Sequence, residues 1–99
     1  MEVNEQRKTE NIAGLQKFFQ AEMLELDVDH GPVPDTKDIW FSFFKNHEVK
    51  HQLQVTHATL SDYALADIIG CLRSADWKAV LATTPSDQRA LFSKTAFPT

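Results

Sequence analysis

The N-terminal part of the chain carries apolar residues at spacings of three and four positions. These residues are Ile12, Leu15, Phe19, Met23 and Leu26. Because this spacing brings side chains onto one face of a helix, the pattern predicts an amphipathic helix from about Thr9 to Leu26. Thr9 can cap its first turn, and residues 1–8 are expected to fray ahead of it.

The spacing changes to a two-residue period in the middle of the chain. From residue 48 to residue 56 the even positions are polar. The odd positions between them are Val49, His51, Leu53 and Val55. This alternation is typical of a strand with one wet face and one packed face. The segment 39–44 is rich in β-formers, so residues 45–47 are predicted to turn it back into an antiparallel hairpin.

Glycine and proline separate the first helix from the hairpin. Gly31, Pro32 and Pro34 disfavour regular structure, since proline lacks an N–H donor and restrains the residue before it. They predict a loop over residues 27–37. A two-stranded hairpin is marginal by itself, so it is expected to be covered by helices, extended by a third strand or completed by a second copy of the chain. A homodimer is therefore one alternative.

The C-terminal third predicts a cluster of three helices. The first covers about residues 59–72, the second is short and starts after Ser74, and the third starts at Pro85, a favoured first helical residue. Residues 95–99 are expected to form a tail. The chain is thus predicted to be a single domain, residues 1–99, of the α+β class in the order α-β-β-α-α-α, with a long N-terminal helix, an antiparallel β-hairpin and the C-terminal helical cluster.

Composition restricts the classes of function. The 99 residues have 42% hydrophobic content, which suffices for one small core. The formal net charge of −4 argues against broad electrostatic binding to nucleic acid or to an anionic membrane. No segment approaches the roughly 18 apolar residues of a membrane span. The single cysteine, Cys71, cannot form an internal disulfide, and together these features indicate a cytoplasmic protein.

The middle of the chain contains the string His-Glu-x-x-His from His47 to His51, and His57 follows six residues later. This string resembles the signature of the zincin metalloproteases and, through its third histidine, that of the metzincins. The resemblance implies the three histidines as zinc ligands and Glu48 as the base that activates a metal-bound water. It covers eleven of the 99 residues, and Gln54 occupies the position of the metzincin glycine.

Whether this string can bind a metal ion depends on its secondary structure. A helix brings His47 and His51 onto one face, whereas on a strand four residues span about 13 Å, too far for both to ligate one ion. The two-residue period favours the strand. We therefore expect no catalytic site, no metal and no other cofactor here, with a minimal zinc hydrolase as a lower-ranked alternative.

Residues 62–82 resemble a helix-turn-helix. An alanine and Gly70 lie four positions apart among apolar residues, as in the first helix and turn of that motif. Asp76 stands where a recognition helix buries an aliphatic side chain, and the segment offers Arg73 and Lys78 as its cations. DNA recognition needs several phosphate contacts and side chains at base edges. Two packed helices with a corner at Gly70 are the favoured interpretation, and a DNA-binding regulator is the alternative.

An acidic segment leads directly into an aromatic one. Residues 22–38 contain six acids and one lysine, a local net charge of −5. The residues predicted to bind a partner are Glu22, Glu25, Asp27, Asp29, Asp35, Asp38, Trp40 and Phe41. An apolar anchor with a charged rim suits a protein interface, whereas a solvated acidic face beside buried aromatic residues is the alternative. The sequence favours a non-catalytic, small acidic interaction module: a regulator, inhibitor or adaptor that binds another protein carrying a basic patch.

Overall fold

Helices cover one face of a four-stranded sheet. The computed structural model describes residues 3–93, with side chains from Glu5 onward. The elements are, in chain order, α1 (Val3–Glu22), β1 (Asp27–Pro32), β2 (Ile39–Lys45), β3 (Glu48–Val55), α2 (His57–Asp62), α3 (Leu65–Ser74), α4 (Trp77–Thr83) and β4 (Ala90–Phe92). The predicted α+β class is confirmed. The Cα radius of gyration of 12.7 Å agrees with one compact domain of this size.

The strands lie in the order β1-β2-β3-β4. The first three pair antiparallel, and β4 runs parallel to β3. A hairpin cannot join parallel neighbours, so helices α2 to α4 form the crossover. Because β1 and β4 extend the hairpin within the chain and helices cover it, the reason for expecting a homodimer no longer holds.

Phe19 of α1 stands at the centre of the core. Its ring centroid lies 5.1 Å from that of Phe41, 5.3 Å from that of Phe43 and 5.0 Å from that of Trp77. These contacts join α1, β2 and α4, and buried aliphatic residues of α2 and α3 belong to the same cluster. All four helices therefore lie against one side of the sheet, which we call the core face.

The predicted hairpin is confirmed, with one irregularity in β3. Phe43 pairs with His51 but the next residue, Phe44, pairs with Val49, so β3 contains an additional residue there. Such a bulge shifts the two-residue alternation and moves the preceding side chains to the other face. The expectation that Val49 packs on the core side is wrong, and its side chain is 38% exposed.

The loop predicted over residues 27–37 is wrong in its first part, which is strand β1. An edge strand tolerates a proline because the N–H on its outer side is not needed for the sheet, and Pro32 is the last residue of β1. Helix α1 begins at Val3, six residues before the predicted start at Thr9. The Thr9 hydroxyl donates to the Glu5 carbonyl at 3.0 Å inside that helix rather than capping it.

The C-terminal third differs from its prediction in two places. Tyr63 and Ala64 have extended backbone angles and divide the first predicted helix into α2 and α3. The helix predicted from Pro85 is wrong, because the chain instead forms β4 and buries Ala90 and Phe92 beside β3. A three-residue strand is too short to reveal a period, and its partner strand is distant in sequence. The tail predicted over 95–99 lies outside the described residues.

Candidate functional site

The zincin-like string lies on a hairpin, not on a helix. His47 occupies the turn with a φ of 66°, the His51 Nδ1 atom lies 3.1 Å from the carbonyl oxygen of Leu81, and His57 is the first residue of α2. Glu48 pairs with the lysine two positions on, at 3.0 Å between Oε1 and Nζ. The three imidazoles therefore have separate surroundings. Within residues 3–93 no group of three or more His, Cys, Asp or Glu residues is placed to hold a metal ion.

His57 instead belongs to a cluster that fastens α1 to the start of α2. Its Nδ1 atom lies 3.0 Å from Lys8 Nζ, and its backbone N–H donates to Asp38 Oδ1 at 2.9 Å. Lys8 also donates to the Lys37 carbonyl at 2.6 Å, and burial together with the neighbouring Lys37 charge lowers the pKa of Lys8. The Ser61 hydroxyl, 3.3 Å from His57 Nδ1, is buried and closed to a substrate.

The segment that resembles a helix-turn-helix has its turn in a different place from the predicted one. Gly70 lies inside α3, and the chain turns at Ala75 and Asp76, where Asp76 has a φ of 54°. The corner predicted at Gly70 is therefore wrong. Helix α4 begins directly afterwards at Trp77 and is seven residues long, with that tryptophan buried in the core.

Both cations of this segment contact groups of their own domain. The Arg73 guanidinium carbon lies 5.3 Å from the centroid of the Phe18 ring. The Lys78 Nζ atom lies 3.4 Å from Glu22 Oε1 and 5.9 Å from the Trp77 ring. A carboxylate beside one of the cations weakens the attraction of this surface for phosphate.

The sheet face opposite the helices is the surface on which the predicted anchor lies. Cross-strand partners point to the same side of a sheet, so the strand pairing defines which side chains share this face. We call it the outer face, and its residues are Asp27, Asp29, Gly31, Trp40, Ser42, Phe44, Val49, Gln52, Gln54 and Leu91. None of the four described helices packs on it, since all contribute to the core face.

Apolar side chains lie at both ends of the outer face. At one end the Trp40 ring lies over Gly31, where a Cβ atom would come within 2.5 Å of Trp40 Cζ2. At the other end Phe44 pairs with Val49. Trp40 and Phe44 are half-buried, so each ring presents part of its surface to solvent. This arrangement gives the face two apolar patches with a polar centre.

The acidic residues predicted to bind a partner divide into two groups. Asp27 and Asp29 are exposed on the outer face, and Glu25 and Asp35 are exposed in the turns before and after β1. Glu22 and Asp38 instead bind to groups of their own domain. Glu22 pairs with Lys78, and the two carboxylate oxygens of Asp38 accept from the His57 N–H and, at 2.8 Å, from the Gln54 amide.

The aromatic pair of the predicted site is also divided. Trp40 lies on the outer face, whereas Phe41 is fully buried against Phe19. Phe41 as a partner-binding residue is therefore inconsistent with this fold, because consecutive strand residues point to opposite faces. The prediction omitted Phe44, Val49 and Leu91. The alternation of segment 39–44 could have indicated Phe44, but Val49 depends on the bulge and Leu91 depends on β4.

Among the described residues, no helix combines the length and the apolar character required to cross a bilayer. In comparisons with known proteins, the chain matches no family model, no curated protein and no solved structure. Its function is therefore inferred from the outer face and the chemistry of the residues on it.

Proposed function

We propose that this protein is a non-catalytic interaction module that binds another protein through the outer face of its sheet. The observation that carries the proposal is the placement of Trp40 and Phe44 on a face that none of the described helices covers, beside the exposed carboxylates of Asp27 and Asp29. Aromatic side chains are enriched at protein interfaces, and tryptophan is among the residues that most often dominate the binding energy. The module would act as a regulator, inhibitor or adaptor.

The charges favour a partner with a basic surface. Asp27 and Asp29 extend from β1 on the same face as the aromatic rings, and Glu25 and Asp35 stand in the turns at the two ends of that strand. Opposite charge around an apolar contact speeds association and selects the partner more than it tightens the complex. We also propose a cytoplasmic location, because the free thiol of Cys71 suits a reducing compartment.

The test combines affinity capture with reconstitution. Proteins captured from a native lysate by the tagged wild type are compared with those captured by Trp40→Gln, by Asp27→Lys and by Leu24→Gln. Leu24 is 82% exposed and belongs to no strand, so its variant is a control for a hydrophobic side chain elsewhere on the surface. Circular dichroism establishes that each variant is folded.

A partner that supports the proposal binds the wild type and Leu24→Gln with the same affinity. Its purified form loses about thirtyfold in affinity for Trp40→Gln, since an aromatic anchor contributes about 2 kcal/mol. For Asp27→Lys the association rate falls at low salt, and the difference shrinks as salt is raised. Captured proteins that bind both folded outer-face variants as tightly as the wild type would show that the outer face is not the interface.

A further inference from the structure

A pocket of about 330 Å³ lies between α1 and the corner of the sheet where β1 ends and β2 begins. Small-molecule sites in proteins have volumes of roughly 300–1,000 Å³, so this pocket is large enough for a small ligand. Most of its surface is apolar. The helix contributes Thr9, Ile12 and Ala13 to the wall, and the sheet contributes His30, Pro32 and Ile39.

The wall of the pocket offers no partner for a charged ligand. Among the described residues that line it, none is an acid, a lysine or an arginine, and the polar side chains are those of Thr9 and His30. A charged group that left water for this pocket would lose its hydration without gaining an opposite charge. The pocket is therefore suited to an uncharged molecule.

Contacts of His30 with α1 fix which of its ring nitrogens carries a proton. Gln16 Nε2 donates to the Val28 carbonyl at 2.5 Å, so the amide oxygen of Gln16 is the atom that faces His30. That oxygen lies 3.0 Å from His30 Nδ1 and can only accept, so Nδ1 carries the proton. In the neutral imidazole Nε2 is then an acceptor.

The Thr9 hydroxyl has the same polarity. It donates its proton to the Glu5 carbonyl at 3.0 Å, and the lone pairs of its oxygen remain able to accept. Both polar side chains of the pocket are thus hydrogen-bond acceptors while His30 is neutral. A ligand can form hydrogen bonds with them only if it donates.

We propose that this pocket binds a small uncharged phenol or alcohol, whose apolar body packs against Ile12 and Ile39 and whose hydroxyl donates to His30 Nε2. Ile12 is half-buried and Ile39 is buried, so both belong to the packed part of the domain rather than to a mobile surface. Neither Trp40 nor Phe44 lines the pocket. The proposal therefore does not depend on the proposed protein interface.

The test titrates the full chain with phenol at pH 8, where an imidazole is neutral. The methyl NMR signals of Ile12 and Ile39 report occupancy, and that of Ile68, which is buried in α3, is the internal control. We expect phenol to shift the first two signals to saturation and to leave the third unchanged. Benzoate, which replaces the hydroxyl with a charged group, should give no saturable shift. Saturable binding of benzoate here would contradict the uncharged site.

Two alanines of α1 locate the site. Ala13→Leu places a larger side chain in the pocket and should lower the affinity for phenol about tenfold. Ala21→Leu makes the same change at an exposed position of the helix outside the pocket, so it should bind phenol as the wild type does. Phenol that leaves the Ile12 and Ile39 signals of the wild type unshifted overturns the proposal, and so does equal affinity of folded Ala13→Leu and the wild type.

A substitution of His30 tests the hydrogen bond. His30→Phe keeps a ring beside Phe41, 5.8 Å away between centroids, but removes the acceptor. Its affinity for phenol should fall about five- to tenfold, the effect of one lost hydrogen bond, while its affinity for toluene, which has no donor, should stay within about twofold of the wild-type value. Equal changes for phenol and toluene would show that His30 is not the acceptor.

Discussion

Two glycines lie inside helices but have different neighbours. Gly70 of α3 is exposed, and a Cβ atom added there would meet nothing within 4 Å. Gly14 of α1 faces α3, and a Cβ atom added there would collide with the Leu65 side chain. Neither glycine has a positive φ, so backbone conformation does not require the residue at either position.

The substitution Gly70→Ala should therefore raise the free energy of unfolding by about 0.5–1 kcal/mol, through reduced flexibility of the unfolded chain and better helix propensity. Gly14→Ala gains the same propensity, but the added Cβ atom forces the partly exposed Leu65 side chain to move, so its rise in the free energy of unfolding should be smaller than that of Gly70→Ala. Urea denaturation of the two variants measures the difference. Equal shifts at the two positions would contradict the contact between Gly14 and Leu65.

The helices are joined to each other by a buried amide. Asn11 of α1 is 3% exposed, and its Nδ2 donates to the carbonyls of Leu60 and Tyr63, each at 2.8 Å. Carbonyls at a helix C-terminus lack partners within the helix. One side chain thus satisfies the end of α2 and fixes the angle at which α1 passes the junction with α3.

Loss of this amide should weaken the packing of the helical layer. Asn11→Ala is expected to lower the free energy of unfolding by about 1–3 kcal/mol, because two carbonyls lose their donor. Asn11→Asp places a carboxylate against them, which raises its pKa in the folded state. Its deficit relative to the wild type should therefore be smallest below about pH 4 and should grow as pH rises. Glu10→Ala, at the exposed neighbouring position, is the control, and a deficit independent of pH would contradict the contact.

After the C-terminal helices the chain comes back to the sheet and forms β4, which pairs with β3. Leu53 pairs with Ala90 and Val55 with Phe92, and the Thr56 N–H donates to the Phe92 carbonyl at 3.1 Å. Phe92 is fully buried, whereas Leu91 between these residues is 36% exposed on the outer face. The strand therefore ties residues 90–92 to the hairpin through both backbone and core contacts.

Adjacent substitutions in β4 should have very different effects. Phe92→Ala is expected to cost about 3–5 kcal/mol, a large part of the about 5–15 kcal/mol that stabilises a domain of this kind. Leu91→Ala should change stability by less than about 1 kcal/mol, because its side chain is partly solvated already. Thermal or urea unfolding of both variants is the measurement. Similar losses at the two positions would place Leu91 in the core and remove it from the outer face.

Local pattern predicted the elements whose side chains repeat over several turns or strand residues. The apolar stripe from Ile12 to Leu26 predicted α1, which ends at Glu22, and the alternation from Glu48 to Thr56 predicted β3. Elements that depend on distant partners were missed. Strand β1 contains a glycine and a proline and exists because β2 lies beside it, and β4 shows only three residues of alternation.

The features of the candidate site divide in the same way, into those that local pattern predicts and those that depend on distant partners. Sequence order and local backbone geometry were enough to predict that residues 48–55 are extended and that an acidic segment precedes an aromatic one. The three-dimensional structure was needed to show which face of the sheet the helices cover, that a bulge turns Val49 outward, and that side chains of α1 bond to the backbone of β1. These outcomes depend on contacts between different helices and strands. The energies of such contacts cannot be inferred from a short stretch of sequence.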